Sequence, residues 1–230
     1  MCHPCFAHIS KLAFMSAEPD DLDLVERTAA AVRGMIIDGR LLPGEQLPET
    51  SLAAELSVSR NTLRESFRIL MHENLVSRQP NRGVFVHRPT LAQVLDVYRV
   101  RRIIEEQAVR QAVPKHPAIA AARAAVDDAV RHREAGEWRM VGSMNMAFHA
   151  ALVALADSDH LDDLFRRLQA ELRLAFSTLD DPEYLHSPFV EENLAITELL
   201  EVSRMDDAAD RLDAYFARSE RTVVATFGRR

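Results

Sequence analysis

Three arginines recur at one-turn intervals in the segment from Arg60 to His72. Arg60, Arg64 and Arg68 stand at i, i+4 and i+8, while Leu63, Phe67 and Leu70 mark the opposite face. A helix built this way turns an apolar back to its own domain and a row of guanidinium groups outward. A guanidinium fork pairs with O6 and N7 of guanine through two hydrogen bonds, worth about 1–3 kcal/mol of discrimination per good pair. Asn61 and Thr62 sit at the N-terminal end, where a helix that enters the major groove contacts base edges. The hydroxyls of Ser59 and Thr62, and the helix N-terminus itself, suit phosphate oxygens. Further on, Arg82-Gly83 would let a loop approach the backbone or the minor groove closely. The chemistry these residues suggest is recognition of duplex DNA. Three arginines alone also describe an ordinary solvated helix face, so the surrounding elements decide between the two.

A second set of polar residues interrupts apolar stripes later in the chain. Arg101 falls within Val94, Val97, Ile104 and Ala108; Asn145 and His149 share a face with Leu152. Asn193 lies on the stripe of Val190, Thr197 and Leu200, and Tyr215 lies with Ala208 and Leu212. Buried polar groups are costly unless satisfied. These side chains therefore either line a polar cavity or satisfy one another in a closed core, for instance Arg101 against Glu105. A cavity holding Arg101 and His149 favours an anionic ligand such as a small carboxylate. His116, His132, His160 and His186 fall near helix ends or loops and read as surface residues; Trp138 reads as core packing. Cys2 and Cys5, beside His3 and His8, are the only cysteines, so disulfides play no part in the fold. With no partner segment, Cys2-x-x-Cys5 is not expected to hold a metal. No nucleophile–base motif, phosphate loop or metal set is visible, which argues against an enzyme.

The elements that must position these residues fall into two groups. A helix over 22–39, with Val25, Ala29, Val32 and Ile36 on one stripe, is followed by a Pro43-Gly44 turn. A short helix from Ser51 to Leu56 and the connection Ser57-Val58-Ser59 lead into the arginine-bearing helix. Two apolar strands, 75–78 and 84–87, flank a Pro/Asn/Gly turn and read as a hairpin. Helix, helix–turn–helix and hairpin in this order describe a winged helix-turn-helix. Beyond Pro89, helices are expected at 90–113, 118–135, 137–156, 159–179, 188–204 and 206–227, punctuated by Pro114, Pro117, Pro182 and Pro188. The expected fold is mainly α: a winged helix over 21–88, then an antiparallel bundle of six to seven helices over 90–228. Residues 1–20 read as a disordered leader, with Met15 as the functional start. The formal charge of the 230 residues is −7, yet six arginines stand against two glutamates between Arg60 and Arg88. That is a basic patch on an acidic body, suited to one-sided approach of DNA. No apolar run reaches the roughly 20 residues of a membrane span, and no signal peptide is apparent, so a cytoplasmic protein is expected.

The stretch PGEQLPETSLAAELSVSRNTLRESFRILMHENLVSRQPNRGVFV resembles the GntR family of bacterial transcription regulators. The matching positions include Pro43, Gly44, Leu47, Leu52, Ala53, Leu56, Val58, Ser59, Arg60, Arg64, Glu65, Leu70, Leu75, Val76, Gly83 and Val86. The resemblance implies that Arg60, Thr62, Arg64 and the wing at Gly83 contact DNA. Thr50 stands where some members place a further DNA-contacting arginine, and Asn74 replaces the usual glycine before the hairpin. The second half looks like the FCD effector domain of the FadR-type branch, through Arg101-x-x-x-Glu105, Asn145-x-x-x-His149, Glu192-Asn193 and Asp207-Ala208-Ala209 with Leu212 and Tyr215. Many such domains hold a divalent metal with one Asp and three His. Here the corresponding positions read Asn145, His149, Asn193 and Tyr215, so the resemblance implies a site stripped of its metal. It further implies a homodimer on a palindromic operator, with repression relieved or imposed by a small molecule in the helical domain. A helical domain that only dimerises, or one that takes a fatty acyl-CoA-like ligand, is the alternative.

Overall fold

The structure, a computed structural model, describes residues 19–37, 39–177 and 181–227. The expected leader lies outside these residues except for its last two positions, and Cys2, His3, Cys5 and His8 lie outside them altogether.

The first group of elements is α1 (Pro19–Ile37), β1 (Gln46–Leu47), α2 (Glu49–Glu55), α3 (Arg60–His72), β2 (Val76–Gln79) and β3 (Gly83–Val86). The connection between α2 and α3 is tight because Ser57 adopts a left-handed φ of 55° and Ser59 caps α3, accepting the Thr62 N–H at 3.0 Å. Asn74, standing where the pattern has glycine, takes φ 55°, a conformation asparagine tolerates better than most residues. The hairpin pairs Val76 with Val86 through Gln79 with Gly83, and Gly83 at φ 102° closes its turn. β1 joins the other edge of β3, giving the antiparallel order β1-β3-β2. This strand was not expected: two residues carry no readable period, and it forms because the Gly44 turn (φ 86°) folds Glu45 back on Val86. Val32, Ile36, Leu63, Phe67, Leu70 and Val86 fill the core of this winged helix.

Among the described residues the second group is six helices: α4 (Leu91–Arg110), α5 (Pro117–Glu134), α6 (Trp138–Ala154), α7 (Asp159–Phe176), α8 (Pro182–Glu201) and α9 (Met205–Phe227). Phe148, Leu152, Phe165, Ile196, Leu212 and Phe216 lie at the centre of the bundle. The expected start of the fifth bundle helix at Pro188 is corrected to Pro182. Asp181 caps the helix by accepting the Tyr184 N–H at 2.9 Å, and Pro182 sits in the first turn, where a missing N–H costs nothing. Pro188 therefore lies inside α8, and burial of Leu185, Phe189 and Val190 around it offsets the interruption. Trp138, expected in the core, is half-buried at the start of α6.

Helix α7 belongs to both cores. Phe165, Leu168, Leu172 and Ala175 pack into the bundle, while Ala170 and Leu174 on its other face complete the interior of the winged helix. Beside them the Asn74 amide donates to Glu171 at 3.0 Å. Among the described residues no helix is long and apolar enough to cross a membrane.

Candidate functional site

The α3 face is open. Leu63, Phe67 and Leu70 are at most 1% exposed, and the side chains of Arg60, Arg64 and Arg68 on the other side are 65%, 55% and 69% exposed. Arg68 donates to Glu65 at 2.9 Å. Arg60 and Arg64 stand 3.8 and 3.7 Å from Glu49 at the start of α2. Exposed ion pairs of this kind contribute at most about 1 kcal/mol, so these guanidinium groups remain available to phosphates and bases. Asn61 and Thr50 are exposed beside them. The hydroxyls of Ser59 and Thr62 lie 2.8 Å apart and share a hydrogen bond, so Ser59 serves first as the helix cap. At the wing tip Arg82 is exposed, with its guanidinium 5.4 Å over the Phe85 ring. The Arg82 carbonyl accepts from the Gln46 amide at 2.7 Å, and a Cβ on Gly83 would come 3.2 Å from the same nitrogen. The missed strand β1 thus steadies the tip.

The polar residues of the bundle form one connected chain. The Arg101 Nε donates to Glu105 Oε1 at 2.8 Å, and Glu105 Oε2 lies 2.6 Å from His149 Nδ1. His149 Nε2 is 2.9 Å from the Tyr215 hydroxyl, which is 3.1 Å from Asn145 Oδ1. Asn193 Nδ2 donates to the same Asn145 oxygen at 2.8 Å. Burial lowers the His149 pKa, with Glu105 opposing and Arg101 reinforcing the effect, so the ring is neutral. Its Nδ1–H then goes to Glu105, leaving Nε2 and the Asn145 oxygen as the two acceptors that face the one Tyr215 proton. The Oδ1 of the buried Asn193 amide has no hydrogen-bond partner among the described residues.

All five expected effector residues are thus brought together. Arg101, Asn145, His149 and Tyr215 line a cavity of about 20 Å³ with Gln169 and His186, enough room for one water molecule. Arg101 is 5% exposed, and Tyr98, Phe165 and Phe216 surround its guanidinium with ring centroids 5.3–5.7 Å away.

Glu105, expected only as the partner of Arg101, is the hub of the chain because it also meets His149. His186, read as a surface residue, turns inward because α8 begins earlier than expected, and its Nε2 lies 2.5 Å from where a Gly142 Cβ would stand. Burial, helped by the nearby Arg173 guanidinium, lowers its pKa to about 4.

The divalent metal implied by the resemblance does not fit these residues. Both ring nitrogens of His149 are engaged, and burial raises the Tyr215 pKa, opposing the phenolate a metal would need. Among the described residues no group of three or more His, Cys, Asp or Glu side chains is placed to hold a metal ion.

Comparison with known proteins agrees with this architecture. Residues 24–86 match the family model "Bacterial regulatory proteins, gntR family", and residues 96–218 match the FCD domain. The Nta operon transcriptional regulator of Aminobacter aminovorans is 29% identical over 180 residues, covering 76% of this chain and 82% of that protein. A crystal structure of a GntR transcriptional regulator from Rhodococcus sp. RHA1 superposes with a TM-score of 0.82 at 34% identity, over 88% of this chain and 98% of that one. Escherichia coli McbR/YncC shares the fold, with a TM-score of 0.74 at 19% identity over 89% and 98% of the two chains. The relatives are transcription regulators and not enzymes. With an arginine-faced winged helix ahead of a six-helix FCD domain, the chain belongs to the GntR family of DNA-binding transcription regulators.

Proposed function

We propose that the chain is a cytoplasmic repressor that binds a palindromic operator as a homodimer, through residues 21–88. In this reading Arg60, Asn61, Thr62, Arg64 and Arg68 face the major groove. Ser59, Thr50 and the wing at Arg82-Gly83 approach the backbone or the minor groove. The observation that carries it is the α3 face, where three half- to two-thirds-exposed guanidinium groups oppose a fully buried apolar back. Two modules on one duplex supply the affinity that a single winged helix lacks. Repression is supported by 38% identity over 79 residues, 34% of this chain and 32% of that protein, to the gluconate operon transcriptional repressor of Bacillus licheniformis. Gel shifts on a duplex selected from a random pool test the reading. Arg64→Ala should abolish the selected preference, and unchanged binding would refute the recognition helix.

Residues 90–228 receive, in the same proposal, a small anionic metabolite without a metal, at Arg101, Asn145, His149, Asn193 and Tyr215. Among the described residues, the unmet Asn193 Oδ1 and the one hydrogen bond of the Arg101 guanidinium support a polar guest. Helix α7 supplies the route to DNA, since it lines the cavity with Gln169, Leu172 and Phe176 and reaches the winged helix with Ala170 and Leu174. A 100-fold change in operator affinity needs a preference of about 2.7 kcal/mol for one arrangement, within reach of a few charge-assisted hydrogen bonds. A second reading rests on the cavity's size: a void of about 20 Å³ in a nearly satisfied network suits a domain that only dimerises. Thermal melting against small carboxylates and acyl-CoA esters separates the two, because a true effector raises the midpoint by mass action.

A further inference from the structure

We propose that Glu49 is a positioning residue of the DNA-reading face, holding one edge of the Arg64 guanidinium so that the other is presented to a guanine. This rests on the reading of Arg64 as a base contact. Glu49 is the first residue of α2, and its side chain is only 25% exposed although it lies among outward-pointing arginines. Its Oε2 faces the Nε of Arg64 at 3.7 Å and an Nη of Arg60 at 3.8 Å, so of the two only Arg64 is met at its inner edge. At that distance it steers without forming a hydrogen bond, and it approaches the inner edge of the guanidinium. The two Nη groups at the outer end are the pair that matches O6 and N7 of guanine. Arg68 differs, because its Nη1 is already donated to Glu65 at 2.9 Å. The structure therefore ranks two residues that the sequence presents as equivalent, with Arg64 poised for a base and Arg68 for a phosphate.

A carboxylate here also repels the DNA backbone. Removing its charge should act in opposite directions on the two kinds of binding: sequence preference falls, while attraction to duplex of any sequence holds or rises. A residue that merely joined α2 to α3 would weaken both together.

The test uses the full chain and a random duplex pool. Selection defines the preferred site, and the Arg64 contact is the guanine whose preference disappears in Arg64→Ala. Glu49→Gln should lower preference at that same guanine by about twofold to fivefold, with binding to unselected duplex unchanged or tighter across a salt series. Glu49→Asp, which keeps the charge on a shorter stem, should recover part of the preference. If Arg64→Ala alters no base preference, the reading of Arg64 fails and this proposal fails with it. If Arg64→Ala acts and Glu49→Gln keeps the guanine preference, or weakens selected and unselected duplex equally, Glu49 has no positioning role.

Discussion

Glu105 and His149 meet at 2.6 Å in the interior of the helical domain, their side chains 0% and 1% exposed. The same carboxylate holds Arg101 at 2.8 Å. One anion thus compensates a buried cation on its own helix and orients an imidazole on another.

Loss of that anion should be severe. Glu105→Gln keeps the shape but leaves the Arg101 charge uncompensated, at an expected cost of about 3–5 kcal/mol in urea unfolding. Replacing both partners, as Arg101→Met with Glu105→Leu, should recover most of it, because two apolar groups need no partner. A single variant within 1 kcal/mol of the parent would show that water reaches the pair.

At the DNA face, Arg82→Ala should weaken binding evenly across duplex sequences. It should also reduce the slope of log affinity against log salt by about one, the mark of a phosphate contact. Sequence preference should stay as it was; its loss would place Arg82 on a base edge instead.

The buried His186 predicts a pH dependence. Its folded pKa of about 4 lies below the ordinary 6.5, so above pH 6.5 the ring is neutral in both states and its packing is undisturbed. As pH falls towards 4, the unfolded chain takes up a proton that the folded chain refuses, and stability drops by as much as about 3 kcal/mol. Below pH 4 this contribution levels off. Burial shifts His149 in the same direction. Urea midpoints at pH 7 and pH 4.5 should therefore differ less in His186→Gln than in the parent, and equal differences would overturn the assignment.

Gly142 tests the same contact from the other side. A Cβ there would lie 2.5 Å from the His186 Nε2 and 3.0 Å from two ring carbons, so the ring must move. Gly142→Ala should cost about 1–3 kcal/mol. Adding His186→Ala should relieve the overlap, so that the two changes together cost less than their sum. Additive costs in thermal melting would mean that the two side chains do not meet.

The DNA-reading half was legible because its signals are local. Three arginines at i+4 spacing, a serine before them and a Pro/Asn/Gly turn after them each fix a neighbouring element without help from distant residues. The bundle was legible as a set of amphipathic stripes, and the polar interruptions at Arg101, Asn145, His149, Asn193 and Tyr215 did converge. What the stripes did not reveal was how nearly these groups satisfy one another, since hydrogen-bond closure depends on how helices distant in sequence cross. His186 was misread because Pro188 looked like a helix start; the Asp181-Pro182 cap moved that start back by six residues and turned the imidazole inward. β1 escaped notice because its pairing with β3 depends on a glycine turn and not on any pattern within its two residues.

The division of α7 between two interiors has a practical consequence for anyone cutting or grafting this molecule. A fragment ending at residue 89 would leave one wall of the winged helix wet, because Ala170 and Leu174 arrive some eighty residues later in the chain. A chimera that transplants only the first half onto another regulator's sensor would meet a foreign helix at that wall. Its failure to fold would then say nothing about how it reads DNA.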